Sequence, residues 1–516
     1  MSTHRLSRTL ASLPVRFMGP GGAVAVLRDG ELIERHAWGW ADAERRIPFT
    51  PQTMSLICSI SKQFTCALLL DLFPDPSVLD GDLRRRLPLL EEEAPTVLDL
   101  CHNQSGLRDY WATAMLCGAP VEGVFGMADA DRLISRTRSL HFAAGTRYSY
   151  CNQNFRLLSD LIEQRTGQSY GDLLRAHLFD RAGMPLARLN ADTSRVAGGT
   201  LGYEGTVATG FRPAVNHIVW TGDAGISASL DDMIAWEQFI DTTRDDAEGL
   251  YNRLSAPVTF KDGTPAVYGF GLARATAFGR RATCHEGGLR GWRSFRINLP
   301  EDRLSAVVLF NHMADPRACA FDLLAAALDV PEPVETIITG ESGFAGRYLE
   351  PESGVAVRIE PAAEQRLSLK FGHGADVLAA TEDGDFLSTA VRLYRDGDGI
   401  SMTRHHENLS SLLVRCEGDS PTDIEGVFHS EELAADLTCV SAGGALYGAF
   451  SGMFGRGAME ALLPHGGDTW LLPMPRALDQ SPPGDWTLTF ERDGKGLVVA
   501  VQVGCWLARD IRYRRV

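Results

Sequence analysis

Apolar and polar positions follow two different periods in the first part of the chain, which predicts strands and helices in one folded unit. An apolar run at 23–27 and an alternating run at 31–38 flank Asp29-Gly30, a pair typical of a hairpin turn. From Ser59 the apolar residues recur every three or four positions, as on one face of a helix, until Pro74 ends the pattern.

The same alternation of elements continues to Leu328. A helix with an apolar stripe is predicted after Asn152, with Gly167 as its C-terminal cap. Three strands and an alanine-rich helix follow, the strands at Thr283 to His285, Trp292 to Leu299 and Ser305 to Phe310. We therefore expect an α+β domain of antiparallel sheet with helices.

Beyond Asp329 the pattern changes to short alternating strands with Asp and Gly turns, after a linker at 330–333. A weak repeat with a spacing of 80 residues predicts two similar β units, because Gly346, Tyr348 and Glu352 recur as Gly426, Phe428 and Glu432. Each unit has the length of a small closed barrel or sandwich. We expect a multidomain α+β protein, with domains at 1–333, 338–417 and 418–516.

Composition agrees with this division and excludes some functions. The 516 residues, 44% hydrophobic and 22% charged, are typical of about three folded domains. A net charge of −16 argues against nucleic acid as a partner. No apolar run is long enough for a signal-peptide core or a membrane span, and ten scattered cysteines without a Cys-x-x-Cys pair indicate buried reduced thiols. We expect a cytoplasmic protein with no membrane partner.

The first candidate for chemistry is the Ser59-x-x-Lys62 pair at the start of the first predicted helix. A spacing of three puts both side chains on one face, where a lysine made neutral by burial and by the helix dipole accepts the serine proton. By itself this pair favours a capping serine with a solvated lysine over a catalytic pair.

Two further segments strengthen the catalytic interpretation. Tyr150 and Asn152 precede a helix, and they supply a phenol that transfers a proton and an amide that holds a carbonyl. His285 ends a strand before Gly287 and Gly288, so it can donate to the tyrosine or to substrate while the glycines let backbone N–H groups approach a reacting carbonyl.

These motifs, in this order, resemble the penicillin-recognising serine hydrolases, which include class C β-lactamases, D-alanyl-D-alanine carboxypeptidases, esterases and D-stereospecific aminopeptidases. The resemblance extends from Gly21 to about Leu328 and is carried by six segments: 59–62, 103–107, 150–152, 222–229, 268–271 and 285–292. It implies Ser59 as the acylated nucleophile, Lys62 as its proton partner, Tyr150 and Asn152 as the second motif, His285 in the third, and the N–H groups of Ser59 and Gly288 as an oxyanion hole.

The third motif departs from the Lys-Thr-Gly of β-lactamases. His285 replaces the lysine that helps to bind a substrate carboxylate, and Glu286 follows it. This departure weakens the β-lactamase and carboxypeptidase interpretations.

A proline-rich segment at 473–484 is longer than a hairpin between its flanking strands needs. Its prolines favour one extended shape that reaches away from its own domain, although an inconsequential surface loop is equally compatible. Over its whole length the chain resembles the D-stereospecific aminopeptidase branch of the family, a catalytic domain followed by two antiparallel β-barrels. That resemblance implies that Asp479 in this loop binds the substrate's free amine and blocks longer N-terminal extensions.

The sequence therefore favours hydrolysis of small peptides, amides and esters with a free N-terminal D-residue, through a D-aminoacyl-Ser59 intermediate. The alternatives are a β-lactamase or D,D-carboxypeptidase, a short-chain esterase, and a non-catalytic β-lactam or peptide sensor. We expect no metal and no cofactor, since no His-Glu-x-x-His pair or phosphate-binding glycine loop is present. The resemblance further implies a homodimer, small D-residues as substrates and β-lactams as possible inhibitors.

Overall fold

The computed structural model describes residues 2–331, 343–372, 374–479 and 484–516. Part of the predicted linker and both boundaries that we predicted at 333 and 338 lie outside these ranges, as do Gln480 to Pro483 of the proline-rich segment.

The α-helices are confined to the first part of the described chain, whereas two 3-10 turns, Ala363–Gln365 and His405–Glu407, lie in the later part. The twelve α-helices are α1 Ser2–Arg16, α2 Ser61–Leu72, α3 Asp80–Arg86, α4 Val97–Cys101, α5 Tyr110–Leu116, α6 Met127–Ser135, α7 Asn152–Thr166, α8 Tyr170–Leu174, α9 Asp180–Ala182, α10 Leu230–Thr242, α11 Leu250–Ser255 and α12 Pro316–Leu328. Short 3-10 turns and one π-helical turn at Arg175–Phe179 lie between or beside some of these helices.

Strands occur throughout. Those of the first domain are β1 Gly21–Arg28, β2 Glu31–Asp42, β3 Ile47–Pro48, β4 Ser55–Leu56, β5 Arg188–Leu189, β6 Tyr203–Thr206, β7 Gly210–Pro213, β8 Ile226–Ala228, β9 Val258–Thr259, β10 Pro265–Ala266, β11 Tyr268–Gly269, β12 Leu272–Ala277, β13 Arg280–Leu289, β14 Trp292–Leu299 and β15 Leu304–Phe310.

The remaining strands form two further sheets. The first comprises β16 Gly346–Glu350, β17 Val355–Pro361, β18 Leu367–Phe371, β19 Gly374–Ala380, β20 Phe386–Leu387, β21 Val391–Asp396, β22 Gly399–Arg404, β23 Leu409–Leu412 and β24 Val414–Arg415. The second comprises β25 Gly426–Ser430, β26 Ala435–Ala442, β27 Ala445–Gly452, β28 Gly455–Arg456, β29 Glu460–Ala461, β30 Leu463–Gly466, β31 Thr469–Leu472, β32 Trp486–Arg492, β33 Val498–Gly504 and β34 Ile511–Arg515.

The main sheet of the first domain is antiparallel, with strand order β11-β12-β13-β14-β15-β1-β2-β3. It lies between two apolar layers, which explains why β1 is buried on both faces. Val24 and Val26 pack with α1 and α12 on one side, whereas Ala23, Ala25 and Leu27 pack with the larger helical layer on the other. The sheet therefore presents one face to the helices that carry Ser59 and Lys62.

The two later sheets curl until their edges approach each other. β23 and β24 lie at opposite ends of the nine-stranded sheet, yet Leu413 alone separates them in sequence. The ten-stranded sheet is similar, because β29 pairs with β27 near one end while β30, one residue further along the chain, forms the other end. Curling of this kind gives the near-barrel form that we predicted.

The structure confirms the predicted hairpin, the helix closed by Gly167 and the three strands that follow 280. Gly167 adopts a left-handed conformation with φ of 68°, as its role as a cap requires. α1 was not predicted, although Leu6, Leu10 and Leu13 form a buried stripe along it. The repeated Gly346 and Gly426 both open the first strand of their sheet.

All ten cysteines are free, as expected, and all but the half-buried Cys416 are buried. Among the described residues, no helix combines the length and the apolar character that crossing a membrane requires.

Candidate active site

Ser59 lies in a 3-10 turn, Cys58–Ile60, that runs directly into α2. Cys58 adopts a φ of 50°, a left-handed conformation that is costly for a residue with a Cβ. The hydroxyl of Ser294 on β14 donates to the carbonyl of Ile57 at 2.8 Å and ties this turn to the main sheet. The turn leaves Ser59 half-buried while Lys62, one helical turn later, is fully buried.

The Lys62 ammonium has an acceptor for each of its three protons. It donates to the Ser59 hydroxyl at 2.9 Å, to Asn152 Oδ1 at 2.8 Å and to the carbonyl of Asp223 at 2.6 Å. Burial lowers the pKa of Lys62 to about 8, against the opposing effect of nearby carboxylates. About one molecule in ten then carries a neutral lysine at pH 7, so Lys62 is placed and tuned to accept a proton from Ser59.

Tyr150 approaches the same hydroxyl from the segment before α7. Its phenol donates to Ser59 Oγ at 2.8 Å, and burial raises the pKa of Tyr150 well above its usual value. Tyr150 is therefore a protonated donor at neutral pH, whereas Lys62 is the group that can be neutral there. The two roles differ because the same burial favours the uncharged form of each group.

Two acidic residues behind the site were not predicted, although the segments that contain or adjoin them were noted. Asp109 Oδ2 accepts from the backbone N–H of Asn152 at 2.6 Å and from its Nδ2 at 2.9 Å. The carboxylate of Asp223 accepts from the Tyr110 hydroxyl at 2.6 Å, and its carbonyl holds Lys62. Both carboxylates are fully buried. An aspartate two residues after the 103–107 motif was the available signal for the first.

His285 does not donate to Tyr150, which was one of the two contacts expected for it. Its Nδ1 lies 2.6 Å from the carbonyl of Glu286 and therefore donates there, which leaves Nε2 to accept from the Tyr268 hydroxyl at 2.9 Å. Burial, and then the positive charge of Lys62, lower the pKa of His285 to about 3. His285 is thus neutral, and it supplies no fixed positive charge for a carboxylate.

The two glycines of the third motif lie beside the nucleophile. A Cβ on Gly287 would come within 2.2 Å of both the Ile57 carbonyl oxygen and the Ser294 hydroxyl, so only glycine permits this approach of β13 to the turn of Ser59. Gly287 is buried against protein and Gly288 is half-buried. β12 pairs with β13 only as far as Cys284, so the Gly287-Gly288 stretch lies on an open edge of the sheet.

Asp479 reaches this site from the last sheet. The described part of its loop is held by the first domain, because Arg290 donates to the carbonyl of Ala477 at 2.9 Å and Arg476 pairs with Glu204 at 3.1 Å. The Asp479 side chain is buried, and its charge is close enough to raise the pKa values of Lys62 and Tyr150, although burial dominates both. The described part of the proline-rich loop therefore crosses from its own sheet to the first domain, where the charge of Asp479 acts on Lys62.

The arrangement fits acyl transfer by a serine nucleophile. A half-buried hydroxyl contacts both a lysine with a lowered pKa and a protonated phenol, beside an open strand edge with glycines. Among the described residues, no group of three or more His, Cys, Asp or Glu side chains is placed to hold a metal ion.

Comparison with protein families divides the chain after the first domain and places both later sheets in one match. Residues 10–329 match the beta-lactamase family, and residues 338–514 match the family described as D-aminopeptidase, domain B.

Two relatives are similar over nearly the whole length. A D-aminopeptidase of Gluconobacter oxydans is 53% identical over 521 residues, covering 99% of both chains, and one of Brucella canis is 48% identical over 505 residues, covering 98% of this chain and 97% of the relative.

Solved structures share the fold at lower identity. The octameric penicillin-binding protein homologue from Pyrococcus abyssi superposes with a TM-score of 0.54 at 19% identity, over 80% of this chain and all of the other. The D-amino acid amidase from Ochrobactrum anthropi, in its complex with D-phenylalanine, gives a TM-score of 0.51 at 19% identity, over 64% of this chain and 99% of the other.

Proposed function

The chain belongs to the D-aminopeptidase family, and on that premise we propose that it is a serine hydrolase that releases N-terminal D-amino acids from small peptides, amides and esters. The observation that carries the proposal is the meeting of two parts of the chain. The Ser59–Lys62–Tyr150 hydrogen bonds lie in the first domain, and Asp479 is brought to them by the loop of the last sheet.

In the proposed acylation, neutral Lys62 takes the proton of Ser59 while Oγ attacks the carbonyl carbon of the substrate. The N–H groups of Ser59 and Gly288 stabilise the resulting oxyanion. Tyr150 donates its proton to the leaving amine as the C–N bond breaks, and the proton on Lys62 replaces it. Water then attacks the D-aminoacyl-Ser59 ester, and the same groups return the serine proton.

The neutral His285 and the acidic Asp479 together favour an amino terminus over a carboxyl terminus as the recognised group. An ammonium near Asp479 forms a charge-assisted hydrogen bond, whereas a terminal carboxylate meets no fixed positive charge on His285. This difference supports an aminopeptidase over a D,D-carboxypeptidase or a β-lactamase. The resemblance to the family supplied eight site residues: Ser59, Lys62, Tyr150, His285, Asn152, Gly287, Gly288 and Asp479. That His285, Asn152, Gly287, Gly288 and Asp479 contact the substrate is part of this proposal.

A panel of four substrates tests the activity: D-alanyl-p-nitroanilide, its L-enantiomer, a chromogenic cephalosporin and a short ester without an amine. We expect release from the D-anilide to be at least about 100-fold faster than from the L-anilide. This ratio corresponds to a difference of about 3 kcal/mol in activation free energy. Ser59→Ala should abolish release and acylation, while Ser135→Ala, at the half-buried end of α6, should leave both unchanged. Turnover of the cephalosporin with none of the D-anilide contradicts the proposal.

The loop has its own test. Asp479→Ala should reduce kcat/KM for the free-amine substrate by about 10-fold to 100-fold, because a hydrogen bond to a charged group contributes about 1.5–3 kcal/mol. For the N-acetylated substrate, kcat/KM should fall by less than about threefold. Asp485→Ala, at the other end of the loop in a pair with Lys370, is the matched control. Equal losses for both substrates would remove the role of Asp479.

We propose three further properties of the chain. The chain is divided into domains at 1–333, 338–417 and 418–516, in line with the separate sheets. The ten free cysteines are compatible with the cytoplasm. The family resemblance favours a homodimer and weak inhibition by β-lactams, which sedimentation velocity and covalent labelling of Ser59 by a penicillin would check.

A further inference from the structure

Asp109 is buried directly behind the groups that contact Ser59. Its two oxygens have separate partners. Oδ1 caps α5 by accepting from the N–H groups of Trp111 at 3.0 Å and Ala112 at 3.4 Å, whereas Oδ2 accepts twice from Asn152. The helix cap therefore fixes the carboxylate in the orientation that serves Asn152.

The carboxylate decides which way the Asn152 amide points. An ionised carboxylate only accepts hydrogen bonds, so the NH2 group of Asn152 must face Asp109 and its Oδ1 must face Lys62. The reverse orientation would set the amide oxygen against Asp109 and the NH2 group against the Lys62 ammonium, two repulsive contacts in a site without solvent.

The last sheet supports Asp109 from behind. The backbone N–H of Asp109 donates to the carbonyl of Leu507 at 3.0 Å. The preceding Arg108 donates to the carbonyls of Arg509 at 2.7 Å and Asp510 at 3.0 Å. The segment after β33 thus holds both residues, in addition to the contact that the proline-rich loop makes with the site.

We propose that Asp109 is a positioning residue, which acts through Asn152 to fix and charge-balance Lys62 and which couples the catalytic lysine to the last sheet. The proposal rests on the proposed serine hydrolase function. The Asp109 carboxylate bonds to Asn152 and to the first turn of α5, and it acts on Ser59 only through Asn152 and Lys62. Its influence on Lys62 has two parts, the orientation of the amide and the effect of a buried negative charge.

The two parts give a signature that loss of stability alone does not produce. In Asp109→Asn the negative charge that raises the pKa of Lys62 is gone, so that pKa falls and a larger fraction of lysine is neutral at low pH. At high pH, where Lys62 is neutral in both proteins, only the misoriented Asn152 amide distinguishes the variant, and it lowers kcat/KM. The ratio of variant to wild-type kcat/KM should therefore be lowest at high pH and should rise as the pH falls.

Burial raises the pKa of Asp109 to about 6, so its carboxylate is largely ionised from pH 7 upward. The experiment measures kcat/KM for D-alanyl-p-nitroanilide from pH 7 to pH 9 in both proteins, so that ionisation of the substrate cancels in the ratio. We expect the ratio to be reduced about 10-fold to 100-fold at pH 9 and to recover several-fold by pH 7. Arg108→Gln is the matched control, since it loosens the same junction and keeps the carboxylate, and its ratio should be flat with pH. A flat ratio for Asp109→Asn, whatever its size, overturns the proposal.

Asp109→Asn leaves buried donors without acceptors and can fail to fold. Asn152→Ala alone and together with Asp109→Asn then provide the test, because removing the Asn152 side chain relieves the mismatch with its amide. If Asp109 acts through Asn152, the two proteins differ by less than about threefold at pH 9. A further tenfold loss in the double variant overturns the proposal. If the wild type turns over the cephalosporin or the ester instead of the D-anilide, the proposed function fails, and the same ratios are measured with that substrate.

Discussion

The two C-terminal sheets have similar beginnings but meet the first domain in different ways. The nine-stranded sheet surrounds an apolar core of its own. The ten-stranded sheet shares one continuous core with the first domain, in which Trp111 and Phe125 pack in the same cluster as Phe428 and Trp486. A strand pattern that looks alike in sequence thus forms a separate core in one case and an interdomain core in the other.

The contacts near the active site follow the same division. The middle unit touches the first domain through a turn, where the Glu407 carbonyl accepts from the N–H of Tyr148 at 3.3 Å and Asn408 donates to the carbonyl of Thr146 at 3.0 Å. The last unit contributes Asp479 and the carbonyl of Leu507. We infer that the middle unit braces the segment that carries Tyr150, whereas the last unit takes part in recognition.

Glu407→Gln should give the largest change in stability. The Glu407 carboxylate is buried between Arg404 at 2.8 Å and Arg509 at 2.9 Å, and these guanidiniums outweigh the effect of burial and hold its pKa at about 2. Removing one partner of a buried ion pair costs about 3–5 kcal/mol. Calorimetry should show a lower unfolding temperature, while the preference for free-amine over N-acetylated substrates is retained.

Glu364→Gln is the control, because Glu364 pairs with Arg366 at 3.1 Å on the surface and should contribute less than about 1 kcal/mol. A changed amine preference in Glu407→Gln would break the comparison, since it would give the ion pair between the middle unit and Arg509 of the last unit a part in recognition.

The pH dependence of kcat/KM should also distinguish the middle unit from the last unit. Because the neutral lysine is the base, kcat/KM corrected for substrate ionisation should fall about tenfold per pH unit below the Lys62 pKa of about 8. Asp479→Ala removes a charge that raises the pKa of Lys62, so kcat/KM of this variant should begin to fall at a lower pH than kcat/KM of the wild type. The acid limb of the Glu407→Gln profile should match that of the wild type. A shift of equal size in both variants would contradict the inferred division of roles between the middle and the last unit.

Arg476→Ala should have the smallest effect. Arg476 is partly exposed and pairs with Glu122 at 3.3 Å and with Glu204, so its loss should cost about 1 kcal/mol. We expect a loss of about fivefold in kcat/KM for the free-amine substrate, measured with D-alanyl-p-nitroanilide, and little change for its N-acetylated form. Arg456→Ala on the exposed β28 serves as the control.

Local spacing correctly predicted that Ser59 and Lys62 are neighbours, because three residues along one helical turn bring the two side chains together without help from the rest of the chain. The contact of Tyr150 with Ser59 was expected from family resemblance rather than from spacing, since 91 residues separate them. The partner of His285 was missed because Tyr268 reaches it through the pairing of neighbouring strands.

The sequence by itself determined the hairpin, the helices after Ser59 and Asn152 and the switch to short strands, because these depend on the periodicity of apolar residues. It also determined the net negative charge and indicated reduced cysteines, because these depend on residue type. Tertiary structure alone decided that Asp109 and Asp223 stand behind Lys62 and that the last sheet shares its core with the first domain. It also decided the protonation of Lys62 and His285. Burial and charges from distant segments set those pKa values, and no local pattern contains either.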